Sequence, residues 1–573
     1  MRQTLAFAAA AALLAQPGTA ARQTALVTLS IVGTSDLHGE ARPRNGAGGL
    51  ALLGGYMNNL RAARAADGGA VLLIDSGDTF QGNIESNLSE GAVIVDAYNA
   101  LGYTAQAVGN HDFDFGSADS PMARQMPGDL RGALKARAAQ AAYPFLAANL
   151  VDAASGRPVE WPHIRPSVLV DVAGIKVGIV GVMTMDALRS TIAANVQGLR
   201  IAPLESTIAG EAAKLRTGGA ELVIVASHAG GRCDRFDQPV DLSSCDEDSE
   251  IFQVARALPR GLVDVIVAGH THAGLGHQVN GIGIIQPYSR GQFFGRVDVV
   301  FDRAARSVSR LQLFAPRQVC ARQDPATGTC AAAAGGSSAG AEYEGRPVAP
   351  DEAIVRAMEP ALRRVHELRA APLGVSLDKD LRRLEDGRSP LGDSLAEALR
   401  AAVPGADVAA LNNAGRLWAD LPRGPITFGQ LYDVFPFDNR LVRVSLTGAD
   451  LSQWLANEIR RGGAVGIAGV NVHATCLADG LHVDVLRGTE RIDDHERLLG
   501  VTIGAPSLNG NLASPDFLGG VGPLENNPVA REVVEDWFRQ LGRLPADERH
   551  RLLNRPPSDN AQLAGCVRTA QGR

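Results

Sequence analysis

The sequence predicts an α/β protein of more than one domain, on three observations: its length, the alternation of short apolar runs with longer amphipathic stretches in the first half, and a change of composition after Pro316. At 573 residues the chain is too long for one ordinary domain. Residues 25–32, 71–74, 176–182, 221–226 and 262–268 read as buried strands, with a short one at 105–108, and residues 208–216 and 251–257 as intervening helices. That alternation implies a sandwich of mixed or parallel sheets flanked by helices. Residues 331–342, AAAAGGSSAGAE, read as a flexible connection. A long helix follows over 351–371, then a second, smaller α/β segment with a helix at 391–402 and turn-rich strands over 426–444. The expected limits are 1–20 for a leader, 25–315 for the first domain, 316–350 for a linker and 351–573 for the second domain.

Composition narrows the function classes. A net charge of -7 argues against a surface that coats a nucleic-acid polymer, which is ordinarily basic. A small anionic substrate then needs a local positive charge, which bound metal ions supply. Arg2, the apolar run 5–14 and the small residues Gly18 and Ala20 form a secretory-signal pattern, with cleavage expected after Ala20 or Ala21. The run is too short to span a bilayer and no later stretch is long enough, so the chain is expected to be periplasmic or secreted, without a membrane span. Six cysteines agree with export. Cys233 and Cys245 bracket one polar loop and Cys320 and Cys330 another, so these are the expected pairs, which leaves Cys476 with Cys566.

The chemistry sits where the apolar runs end. There the sequence places Asp36-Leu37-His38-Gly39, Gly77-Asp78, Gly109-Asn110-His111-Asp112, Ser227-His228 and Gly269-His270-Thr271-His272. Loops at the carboxyl ends of strands in α/β sheets converge on a common crevice. Alone, each short motif is ordinarily a turn with a solvated side chain; all of them in order, each at a strand end, is a different matter. Imidazole and carboxylate together suit Zn, Mn, Co or Fe, and the two oxygens of Asp78 can serve two ions. Two divalent ions roughly 3.5–4 Å apart clamp a phosphoryl group and activate water, so no serine or cysteine nucleophile is required. No GxxxxGK[ST] phosphate loop occurs.

This series resembles the calcineurin-like metallophosphoesterase superfamily. The stretches 75–82, DSGDTFQG, and 109–116, GNHDFDFG, are similar to the exported bacterial 5'-nucleotidases, as are 413–422, NAGRLWADLP, and 426–439, ITFGQLYDVFPFDN, in the second half. The resemblance covers most of 25–315 and 351–525. It implies an N-terminal metallophosphoesterase β-sandwich flanked by helices and a smaller C-terminal α/β domain that binds substrate. It implies one ion held by Asp36, His38, Asp78 and His272, and another by Asp78, Asn110, His228 and His270. His111 and Asp114 match the family's catalytic pair. Phe437 and Phe517 match the rings that sandwich a base, with Asn413, Arg388 and Arg416 as further substrate contacts, and Arg382 and Arg383 as other candidate arginines.

The expected activity is release of phosphate from nucleoside 5'-monophosphates or related nucleotides. The alternatives on this scaffold are a 2',3'-cyclic-nucleotide phosphodiesterase, a UDP-sugar hydrolase or a thiosulfohydrolase, and, outside enzymes, a nucleotide-binding surface protein. Departures from the family's pattern fall on the substrate side. Arg416 precedes Leu417 and Trp418 where a glycine-rich arginine motif is usual, Asp438 replaces a glycine, and Val521 replaces an acidic residue.

Overall fold

A computed structural model describes residues 26–44, 46–118, 128–324, 329–331, 339–384, 389–412, 417–436, 440–460, 464–477, 480–504, 521–523 and 528–542. Two mixed sheets face each other in the first half. One has the spatial order Ser307–Gln318, Phe293–Asp302, Leu26–Thr34, Ala70–Asp75, Ala105–Ala107, Phe145–Leu146, Ile164–Arg165. From Leu26–Thr34 onward its neighbours are parallel. The other runs Gly274–Val279, Ile282–Pro287, Val265–Ala268, Leu222–His228, Ile175–Met183, Ser167–Val172, parallel through its four central strands.

The strands are nearly continuous Val, Ile and Leu because both of their faces are covered, the pattern expected of buried parallel strands. Leu29, Ile31, Leu72 and Ile74 of the first sheet pack on Ile179, Ile224, Val265 and Val267 of the second. Fully burying such a side chain is worth roughly 1.5–3 kcal/mol. Gly33 permits the close approach of the sheets, since a Cβ there would lie 2.5 Å from Val267 Cγ1. Helices Leu50–Ala66, Ala92–Leu101 and Gly132–Gln140 cover the outer face of the first sheet. Leu204–Thr217 and Glu250–Ala257 cover that of the second, giving a helix–sheet–sheet–helix sandwich.

Within the stretch expected as a linker, Val319 and Ala341 are buried in the first core. The disulfides Cys233–Cys245 and Cys320–Cys330 form as expected. Cys476 is also disulfide-bonded, and its expected partner Cys566 lies outside the described residues, as does the leader.

Helix Glu352–Ala370 joins the halves. Asp351 caps it, accepting from the amides of Ala353 and Ile354. Its first turns put Ile354 and Met358 into the first core, and Val365 enters the second. Gly55 allows the preceding chain to dock, because a Cβ there would lie 2.0 Å from the Ala349 carbonyl oxygen.

The second half holds a five-stranded sheet in the order Val465–Ala468, Val408–Asn412, Arg497–Gly504, Arg440–Thr447, Val521–Pro523. Residues 426–444, expected as turn-rich strands, instead include the helix Phe428–Val434 before the strand Arg440–Thr447. The reason is local: Thr427 and Gln430 form a capping box, and Phe428, Leu431 and Tyr432 recur at helical spacing on the buried face. Among the described residues no helix is long and apolar enough to cross a membrane.

Candidate active site

Each motif emerges from the carboxyl end of a parallel strand. Asp36 and His38 follow Leu26–Thr34, Asp78 follows Ala70–Asp75, Asn110 and His111 follow Ala105–Ala107, His228 ends Leu222–His228, and His270 and His272 follow Val265–Ala268. The chain turns sharply at these points. Asp36, His38, Asp78, His270 and His272 all have positive φ, between 50 and 74°. Non-glycine residues are held in this region only where surrounding contacts over-determine them. Here the contacts are main-chain: the Asp36 amide donates to the Gly77 carbonyl at 2.9 Å and the His38 amide to the Asp78 carbonyl at 3.0 Å. The His270 amide donates to both oxygens of Asp36 at 3.0 Å, and the His111 amide to Asp78 Oδ1 at 2.8 Å.

The result is two clusters of electron-pair donors. Asp36, His38 and His272 form one, and Asp78, His228 and His270 the other, with the ligand atoms of each within 4.8 Å of one another. Tautomers follow from the partners. His38 Nδ1 donates to the Gln81 carbonyl at 3.0 Å, which turns Nε2 toward His272 Nε2, also at 3.0 Å. His228 Nδ1 donates to the Ser76 carbonyl at 2.8 Å. Asn110 donates its amide to the Ser190 carbonyl, so Oδ1 faces His228 Nε2 at 2.9 Å. Asp78 Oδ2 and His270 Nδ1 also lie 3.2 Å from that nitrogen.

Such convergence of acceptors needs a cation. A proton on His228 Nε2 can point at one of its three neighbours, whereas a metal ion serves all of them. The arrangement, ring nitrogens oriented by backbone carbonyls on their far side, is that of metal-ligating histidines. Electrostatics agrees: burial, outweighing Asp78, pushes His38 down to about 4. Burial and then His228 push His270 down to about 4, so both rings keep their lone pairs. For His228 burial opposes charge but Asp78 outweighs it, raising it to about 9. Metal binding there displaces a proton. A third grouping, Cys233, Cys245 and His277, is closed to metals by its disulfide.

Beside the clusters, His111 Nδ1 bonds Asp114 Oδ2 at 2.6 Å, and Thr191 donates to Asp114 Oδ1 at 2.7 Å. Burial disfavours a charged His111, yet Asp114 and Asp78 more than offset it and raise the imidazole to about 10. Asp114 thus orients the His111 ring, whose centroid is 5.4 Å from that of His38.

All the sequence-derived metal and catalytic candidates therefore come together. The substrate candidates Asn413, Arg416, Arg388, Phe437 and Phe517 lie outside the described residues. Arg383 is engaged by Asp420 at 3.0 Å. Sequence reasoning missed Thr191, which no motif marks, and gave no role to Asp112, which accepts from the amides of Thr79 and Gly109 and ties two ligand loops together. It also missed Gln286, which is buried and bonds Thr271 Oγ1 at 2.7 Å and the Ala273 carbonyl at 2.8 Å, with its Oε1 3.3 Å from the Gly231 amide. A glutamine inside the apolar run of residues 282–287 was the available signal.

Comparison with known proteins agrees with this geometry. The calcineurin-like phosphoesterase family matches residues 29–274, and the 5'-nucleotidase C-terminal domain family matches 369–485. Protein UshA of Yersinia enterocolitica is 26% identical over 483 residues, 79% of this chain and 80% of that one. The 5'-nucleotidase of Vibrio cholerae is 25% identical over 545 residues, 89% of this chain and 90% of that one. The solved structure of a 5'-nucleotidase precursor from Thermus thermophilus shares the fold with a TM-score of 0.59 at 22% identity, covering 90% of this chain and 97% of that one. The chain thus carries a calcineurin-like phosphoesterase domain followed by a 5'-nucleotidase C-terminal domain, and is a metal-dependent phosphoric ester hydrolase similar to 5'-nucleotidases.

Proposed function

We propose that this chain is an exported two-metal phosphohydrolase that releases phosphate from nucleoside 5'-monophosphates or related nucleotides. The observation that carries the reading is the meeting of lone pairs at His228 Nε2 and His38 Nε2, beside a hydrogen-bonded His111–Asp114 pair. Asp36, His38, Asp78 and His272 are the residues for one ion, and Asp78, Asn110, His228 and His270 for the other. The ions, of Zn, Mn, Co or Fe, supply Lewis acidity and water activation. The chain's own residues do the rest. Carbonyls of Gln81 and Ser76 fix the imidazoles, and Asp114 holds the His111 ring toward the negative charge that grows in phosphoryl transfer.

The second domain, divided from the first at about residue 350, reads the nucleoside through Phe437 and Phe517, with Asn413, Arg388 and Arg416 for its polar groups. Relatives named as 5'-nucleotidases support a nucleotide substrate. The disulfides support passage through an oxidising compartment, periplasmic or extracellular. The deciding experiment measures inorganic phosphate released from nucleoside monophosphates, a 2',3'-cyclic nucleotide, a UDP-sugar and glycerol phosphate, with and without chelator. Chelator-sensitive release favouring monophosphates is the expected result. Absence of release from every nucleotide refutes the reading.

A further inference from the structure

We infer that Asp75 is a positioning residue whose carboxylate fixes the residues on both sides of Asp78, and through them the geometry of both metal clusters; the inference rests on the two-ion reading above. Residues 71–74, VLLI, form an apolar run that one more apolar side chain would have carried on into the core. The strand Ala70–Asp75 ends instead on a fully buried carboxylate. Such a group is costly to bury unless hydrogen bonds satisfy it. Asp75 has four donors.

Its Oδ1 accepts from the Gly77 amide and from Thr79 Oγ1, both at 2.9 Å. One oxygen thus grips the residue before Asp78 and the residue after it. Both of these hold the next loop in turn: the Gly77 carbonyl accepts the Asp36 amide, and the Thr79 carbonyl accepts the Gly39 amide. Oδ2 accepts from Thr34 Oγ1 at 2.7 Å and from the Tyr98 hydroxyl at 2.9 Å. Further donors stand behind. With its own proton committed to Asp75, Thr34 accepts from the Tyr103 hydroxyl at 2.8 Å. Thr79 likewise accepts from Gln106 Nε2 at 2.8 Å, and Gln106 Oε1 accepts from the Tyr143 hydroxyl at 3.2 Å.

The protons of this buried network all run toward one carboxylate. Thr34, Asp75 and Gln106 lie on adjacent parallel strands, two, three and four residues before Asp36, Asp78 and Asn110. Asp75 therefore ties together three strand ends that deliver ligands, without being a ligand itself. It acts through hydrogen bonds. An asparagine oxygen can stand in for Oδ1 toward the Gly77 amide, which can only donate, while the hydroxyls of Thr34 and Tyr98 can turn to accept from the new NH2 group. Alanine offers neither.

The test measures Zn2+ affinity by competition with a chelator, Zn2+ per chain by elemental analysis, and melting temperature. It compares wild type with Asp75→Ala, Asp75→Asn, Thr79→Val and Ser30→Ala. Ser30 is the control: on the strand Leu26–Thr34, its buried hydroxyl donates to Asp298 at 2.7 Å, outside this network. Asp75→Ala should bind Zn2+ about 10–100-fold more weakly, and Asp75→Asn should recover to within about threefold of wild type. Ser30→Ala should lower the melting temperature and leave affinity unchanged. If Asp75→Ala does not fold, Thr79→Val decides, since it drops one of the two bonds to Oδ1; its expected loss is about three- to tenfold, the size of one hydrogen bond. Affinity unchanged in Asp75→Ala or Thr79→Val, an equal loss in Ser30→Ala, or an Asp75→Asn no better than Asp75→Ala overturns the inference. A wild type that holds fewer than two Zn2+ overturns the two-ion reading, and this inference with it.

Discussion

The ligand loops and the domain junction are held in opposite ways. Around the ligand clusters, most restraints have a main-chain group at one end or both, as between the Asp36 amide and the Gly77 carbonyl, the His38 amide and the Asp78 carbonyl, or the His270 amide and the Asp36 carboxylate. Across the junction, restraints are side-chain contacts: Asn87 with Tyr432 and Pro436, and Arg290 stacked 5.0 Å from the Trp418 ring. Main-chain restraints tolerate little sequence change, because loop geometry and ligand identity are fixed together. Side-chain restraints can be retuned one residue at a time. Departures from the family's pattern at Trp418, Asp438 and Val521 all fall in the second half of the chain. The chemistry is built into the backbone, and substrate choice is laid over it.

The comparison breaks most sharply at Asp78. Asp78→Asn should weaken both clusters and reduce activity by more than the roughly 10–100-fold that losing a supporting partner of a metal ligand costs. Asn110→Ala, touching one cluster, should lose less. Retention of two ions and near-native turnover by purified Asp78→Asn would show that the site is misassigned. His111→Ala should lower kcat by about 10²–10⁴-fold with metal content intact. Elemental analysis showing metal loss would make His111 a ligand.

In the second region, Phe437→Ala or Phe517→Ala should remove roughly 1–3 kcal/mol of stacking, about five- to 150-fold in kcat/KM for nucleotides. A base-free ester should be nearly unaffected, and equal effects on both would deny a base-reading role. Gln286→Leu sharpens the other side: apparent metal affinity should fall about 10–100-fold, restored by excess metal. Titration against a chelator checks this, and unchanged affinity would mean that Gln286 braces nothing. The smallest effect expected is between sugars. The strand residue Val521, paired with Val444, offers no carboxylate to a ribose hydroxyl, so ribo- and deoxyribonucleotides should differ by less than about threefold. Strong ribose preference would assign that contact to another residue, such as Asp516 or Asp438.

What was legible in the sequence follows the same division. Period and apolar continuity exposed the strands Leu26–Thr34, Ala70–Asp75 and Leu222–His228. Their ends then exposed the ligand motifs, because a parallel strand delivers its next residues to a known edge of the sheet. The helix Phe428–Val434 was misread because Phe and Tyr favour strands, and its capping box outweighed that preference. Thr191 was invisible because it reaches Asp114 from 77 positions along the chain, within no local pattern. The burial of Ile84 in the second core was equally hidden, since nothing in a four-residue helix says which core it enters.

The left-handed backbone at Asp36, His38, Asp78, His270 and His272 has a consequence for descent. Each such residue costs on the order of 1–3 kcal/mol that glycine would not. Selection for catalysis maintains that cost, and without such selection nothing does. A lineage that lost the reaction would be free to drift to glycine or asparagine at these positions and gain heat resistance as it went. Descendants of this chain that no longer hydrolyse phosphate esters should therefore carry those two residues where the ligands stood, and should outlast their active cousins on heating.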